Sequence, residues 1–171
     1  MAESARELAE RFERINDEVI TVVEGCSNDQ WQTLVPEEGR TVGVVCHHVG
    51  GAYRFLTQLI QALSTGETGP PNTMEAIHAA NAQHMERYAS CTKDEAIALL
   101  RRNGGVARAA VEALTDEQLD RQGRLVLYGD RPITARQVIE RRLIGHPLSH
   151  LQGIRDVLGD KLQVKGANGS A

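Results

Sequence analysis

Apolar residues recur every three or four positions along almost the whole chain, and this pattern restricts the available folds more than any other feature. In the first segment Leu8, Phe12, Ile15, Val19, Val22 and Val23 keep helical period until Gly25 and the turn-forming Ser27, Asn28 and Asp29. A second run passes from Val42 through Val45, Cys46, Val49, Ala52, Tyr53, Leu56 and Ile60 to Leu63, with Thr41 as its N-cap and Gly66 beyond its end. The turn Gly69-Pro70-Pro71-Asn72 leads to a third stretch, Met74 to about Tyr88. Thr92, with Glu95 three residues on, reads as a capping box that opens a fourth stretch, Ala96 to about Leu114. The third and fourth are either two helices or one broken helix. The last runs from Thr134 to about Leu158, and Pro147 within it removes a backbone donor and should bend the chain there. Residues 115–133 carry the short apolar run Leu125-Val126-Leu127-Tyr128 and are expected to be an irregular or briefly extended crossover.

About four amphipathic helices without paired strands predict an all-α protein, an up-and-down four-helix bundle with a long crossover loop before the last helix. A length of 171 residues, 41% apolar and 25% charged, suits one core. Residues 1–160 are therefore expected to form the bundle domain. Residues 161–171, which end in GANGSA and offer nothing to pack, are expected to form a flexible tail. The net charge of −4 is spread over interspersed acids and bases with no basic run, so neither nucleic acid nor an anionic membrane surface is an expected partner. The N-terminal MAESARELAERFERI lacks the basic and apolar regions of a signal peptide, and no apolar stretch approaches spanning length, so the expected location is cytoplasmic. Three cysteines, Cys26, Cys46 and Cys91, are odd in number and far apart, which fits free thiols in a reducing compartment.

Bundles build metal sites from side chains that project inward from facing helices, so helix phase tests each histidine. His146 and His150 stand four residues apart, close to one helical turn, and their imidazoles can therefore face one point. At 100° per residue His150 lies only about 40°, and His146 about 80°, from the centre of the apolar stripe set by Leu143, Leu151, Ile154 and Leu158. On the second helix His48 lies roughly 90° from the stripe centre and borders the core, whereas His47, roughly 170° away, is expected to face water. On the third stretch Met74, Ile77, Met85 and Tyr88 set an inner face, with Asn81 near its axis, His84 about 45° from it and His78 further out on the surface. Cys46 is phased inward as a core residue, a soft ligand or a redox-sensitive thiol. Trp31, after the first helix, is expected to pack between helices.

Three imidazoles from two helices, with positions left for water or substrate, suit zinc, nickel, copper or ferrous iron at a catalytic site. Such a metal would acidify a bound water or thiol, or polarise a carbonyl.

The order TVGVVCHHVGGAYRFL, NAQHMERYASCTKDEAIALL, GDRPITARQVIE and IGHPLSHLQGIRDVLG resembles the DinB-like superfamily over nearly the whole chain. That resemblance implies a four-helix bundle that holds one divalent metal through a histidine on the second helix and a pair on the last. The matching positions are His48, His146 and His150. The metals it implies are zinc or nickel first, then iron or manganese. The superfamily includes metal-dependent thiol transferases and the mycothiol-dependent maleylpyruvate isomerase, so the implied partners are a small-molecule thiol and an electrophilic substrate.

His84 is a candidate fourth ligand, substrate contact or general base, and the catalytic candidate among the remaining histidines. Arg141 and Arg142, one turn before the pair, could recognise an anionic thiol or a carboxylate, although a solvated helix face accounts for at least one of them. The expected function is a metal-dependent enzyme of the thiol-transferase kind, or an isomerase or hydrolase on the same site. The alternative is a non-catalytic, stress-related metal-binding or ligand-binding protein. A homodimer is the ordinary expectation for a soluble oligomer.

Overall fold

The structure, a computed structural model, describes residues 2–67, 69–129 and 131–159. Four long helical segments carry the core. Helix α1 (Ala5–Gly25) opens on a capping box in which Ser4 and Glu7 satisfy each other's backbone N–H groups. After a single turn, α2 (Asn28–Trp31), the chain makes a minimal hairpin of β1 (Leu34–Val35) and β2 (Arg40–Thr41). Helix α3 (Val42–Thr65) starts on the Thr41 cap and ends on left-handed Gly66. Helix α4 (Met74–Arg87) and helix α5 (Lys93–Glu112) are separate, and α5 opens on the Thr92/Glu95 capping box expected from the sequence.

The stretch 115–133 is more ordered than a crossover loop. It contains a short helix α6 (Asp116–Asp120), capped by Thr115 and Gln118, and a strand β3 (Gln122–Gly123) that pairs with β4 (Ile133–Thr134). The signal for α6 is the T-x-x-Q capping box, which is too short to show a hydrophobic period. The last segment is composite: α7 (Ala135–Val138), a wide π-helical section at Ile139–Ile144, then α8 (Gly145–Leu158). Pro147 falls in the first turn of α8, directly after the wide π-helical section.

The bundle expected from the periodicity is present, and so is a crossover before the last segment, but the helices do not simply alternate in direction. Asn103 Nδ2 donates to the Gly50 carbonyl (2.9 Å), and Trp31 of α2, packed on Gly43 at the start of α3, donates through Nε1 to the Cys91 carbonyl (2.9 Å). The start of α3 thus lies by the start of α5, and Gly50, further along α3, by the middle of α5, so the two run parallel. Helix α1 runs antiparallel to α5, as the ion pair Arg108–Glu13 and the close approach of Gly104 to Asn16 require. Helix α1 runs parallel to the last segment, with Arg136 bonded to the Glu3 carbonyl and Arg155 to Glu18 (2.9 Å). The succession is up, down, down, up, which departs from a strict up-and-down bundle. The return trip between the parallel pair is made by the linker that contains α4. Gly50 lets α5 approach closely, since a Cβ there would sit 3.1 Å from the Leu100 nitrogen, a tight contact with backbone.

The core is continuous along the bundle and includes fully buried Leu8, Phe12, Tyr53, Leu100, Leu143 and Ile144, with Phe12 and Tyr53 packed edge to face at 4.9 Å. Trp31 is buried between the start of α3 and the turn before α5, as its expected packing role requires. Cys26, Cys46 and Cys91 are buried free thiols. No helix of the described residues is long and apolar enough to cross a membrane. The expected tail, 161–171, lies outside the described residues.

Candidate metal centre

His48 comes from the second turn of α3, and His146 and His150 come from α8. The structure brings these three together. His146 Nε2 lies 2.9 Å from His150 Nε2 and 3.3 Å from His48 Nε2, and all three nitrogens fall within 4.8 Å of one another. The π-helical section is part of the reason, because its wide turn sets the phase at which α8 begins.

The protonation states are set by burial. Removal from water holds His48 far below the ordinary imidazole range, at about 2, with neighbouring His146 adding to the effect. Burial, followed by the nearby His150, puts His146 at about 3. Both rings are thus uncharged at neutral pH. His150 Nδ1 sits 2.6 Å from Glu38 Oε1 and donates a hydrogen bond to that carboxylate, which leaves Nε2 as the nitrogen that faces His146.

The donor set fits a metal ion. His146 Nε2 is within bonding distance of two other ring nitrogens, yet it carries either one proton or one lone pair and cannot satisfy both neighbours as a hydrogen-bonding group. Nitrogens that share one tetrahedral zinc would lie roughly 3.3 Å apart, close to the spacings here. His146 Nδ1 is buried without a hydrogen-bond partner among the described residues.

The three imidazoles line one end of a cavity of about 600 Å³. Its apolar walls include Phe55, Leu56, Ile77 and Leu127, and its polar groups include Arg40, Asn72, Asn81, His84, Tyr128 and Arg142. Arg142 donates from Nε to the Tyr128 hydroxyl (3.2 Å) and lies over that ring, which positions it at the cavity wall. Arg141 is exposed and lines a different depression, so the solvated-face reading applies to it.

His84 lines the cavity with its ring centroid 5.5 Å from that of His48. Burial, and then His47, hold it at about 4. His84 Nε2 lies 2.8 Å from His47 Nδ1, while its Nδ1 is buried without a partner among the described residues. His47 corrects the sequence expectation: it is 7% exposed rather than turned to water. Helix phase locates the bundle axis correctly, but Tyr88, at the end of α4, covers the opposite face of α3 and stacks on the His47 ring at 4.0 Å. The inner face expected for α4 is present but only half-buried: Ile77, Asn81, His84 and Tyr88 turn toward the cavity and α3. Met74 and Met85 are exposed and α4 has no buried residue, because it lies across the cavity rather than inside the bundle. Asn81 is half-buried on the cavity wall and His78 is exposed at its rim. Cys46 is a core residue whose thiol is pushed well up by burial, not a member of the histidine cluster.

Sequence reasoning missed Glu38, Arg40 and Tyr128. A signal for the first two was present, since Pro36-Glu37-Glu38-Gly39 is turn-forming and directly precedes the Thr41 cap of the helix that carries His48.

A family model for the mycothiol maleylpyruvate isomerase N-terminal domain matches residues 12–144. The chain belongs to this family, which is DinB-like. The matched span contains His48 and His84 and stops just short of His146 and His150. Among solved structures, YfiT from Bacillus subtilis is similar to the chain. It is described as a probable metal-dependent hydrolase with an unusual four-helix bundle topology, and the match has a TM-score of 0.73 over 90% of this chain and 85% of that one at 18% identity. At that identity the likeness speaks for the fold. No curated protein matches the chain.

Proposed function

We propose that the protein is a metal-dependent enzyme of the thiol-transferase kind, in which His48, His146 and His150 hold one divalent metal, zinc or nickel foremost. The observation that carries this reading is the convergence of three imidazole nitrogens in the wall of a largely apolar cavity large enough for a small molecule. A family named for a mycothiol-dependent isomerase supports a thiol as one reactant. When bound, the metal supplies Lewis acidity that makes a small thiol, or water, nucleophilic near neutral pH.

The chain's own residues do the rest. Phe55, Leu56, Ile77 and Leu127 exclude water from the reacting end and hold the carbon skeleton of an electrophile. Arg142, positioned by Tyr128, offers its remaining N–H groups to an anionic substituent of thiol or substrate. His84 lines the same space and is the residue assigned to accept the proton that the nucleophile gives up.

The test is a panel of small thiols crossed with electrophiles on zinc-loaded and nickel-loaded protein. Thiol consumption well above that of a triad-to-alanine control is expected, with His84→Ala reducing turnover more than binding. Equal consumption by protein and control would end the transferase reading and leave a binding protein.

A further inference from the structure

We propose that Glu38, a residue outside the cavity, is a positioning residue that sets the metal affinity of the centre through His150. The proposal rests on the metal reading above and concerns a group with no place in the ligand set. Glu38 is delivered from the outer side of α8 by the β1–β2 hairpin. Gly39 takes the left-handed conformation (φ +62) that closes the turn, and the backbone N–H groups of Glu38 and Gly39 donate to the Val35 carbonyl at 3.1 and 3.0 Å. Val35 is buried and lies against Gly153, where an added Cβ would stand 3.5 Å from Val35 Cγ1 and 3.8 Å from Glu38 Oε1. Those are ordinary contact distances, so the hairpin packs directly on α8 at this position, one turn from His150.

The carboxylate has a neighbour on each oxygen. Oε1 accepts from His150 Nδ1 at 2.6 Å and Oε2 faces Arg40 Nη2 at 3.6 Å, with both side chains only 15% exposed. The chemical consequence is threefold. A fixed acceptor on Nδ1 selects the tautomer whose lone pair is on Nε2, locks the ring plane, and enriches the electron density of the nitrogen that faces His146 and His48. Glu38 also brings a negative charge to a cluster whose other charged neighbours, Arg40 and Arg142, are positive. Arg40 is an ion-pair neighbour of this carboxylate, whose Oε2 has no hydrogen-bond partner among the described residues.

The experiment is competition for Zn(II) between the protein and a chromophoric chelator. Loss of an outer-shell partner of this kind costs 10- to 100-fold in affinity, and that is the expectation for Glu38→Ala. Glu38→Gln keeps an acceptor without the charge and should restore part of the loss, which a merely structural role does not predict. In a His150→Ala background Glu38→Ala should cost nothing further, because the ring it acts through is gone. An unchanged affinity in Glu38→Ala, or the same loss with and without His150, would overturn the proposal. If Glu38→Ala does not fold, Glu38→Gln carries the measurement alone, and an affinity equal to the parent's overturns it. A parent protein that binds no Zn(II) overturns the metal reading itself, an outcome distinct from failure at Glu38.

Discussion

The floor and the roof of the cavity are built on opposite principles. The floor is the junction of α3, the π section and α8, where Leu143, Ile144, Leu151 and Ile154 are buried and Glu38 braces His150 from behind. The roof is α4, which has no buried residue and exposes Met74 and Met85. It is fastened chiefly by the His84–His47 contact and the stacking of Tyr88. Groups that must hold one geometry stand on the rigid part, and groups that must meet a molecule from outside stand on the part that is least costly to displace.

The largest effect that tests this division is at the floor. The double substitution His146→Ala and His150→Ala should take metal content from near one equivalent to none by elemental analysis of protein purified without a histidine tag, with helical circular dichroism retained. Metal that persists in the variant would place the binding groups elsewhere. Next comes packing. Leu143→Ala should lower unfolding free energy by about 2–5 kcal/mol in urea titrations, whereas Met85→Ala on the roof should stay within about 0.5 kcal/mol. Similar costs at both positions would erase the contrast, and hydrogen exchange should show the same order, with α4 exchanging faster than α8.

The pH dependence of the metal-free protein tests the burial of the floor itself. His48 and His146 are held at about 2 and about 3 when folded. Both titrate near 6.5 when unfolded, so between those limits the unfolded chain binds more protons. Stability is therefore fully present above about pH 6.5 and is lost as pH falls toward 3. Each imidazole contributes at most about 1.4 kcal/mol per pH unit in that window. A urea midpoint that stays flat from pH 7 to 5 would mean that the floor is open to water.

Much of this architecture is legible in the sequence because a helix announces its own buried side. The spacing Val42 to Leu63, the Thr41 and Thr92 caps and the inward phase of His150 are all local properties of one segment. What covers the other side is not local. His47 looks like a surface residue until Tyr88 arrives from a different element, and Glu38 looks like a loop acid until the hairpin folds onto α8. The parallel course of α3 and α5 is equally hidden, since helical periodicity carries no information on direction. The strands β1 to β4 are two residues each, too short to show any alternation.

That parallel pair also governs how the chain can assemble. Two antiparallel helices joined by a tight turn close a small loop, but α3 and α5 meet through residues as distant as Gly50 and Leu100, so the entropy of a long loop is lost before their contacts form. Contacts this remote along the chain raise the contact order above that of a hairpin-built bundle and slow the search for the native state. The loop in question carries the roof. A change of length or sequence within it adds only slowly to the cost of closure, so that segment can vary among relatives while the buried faces, and the order in which they find one another, stay the same.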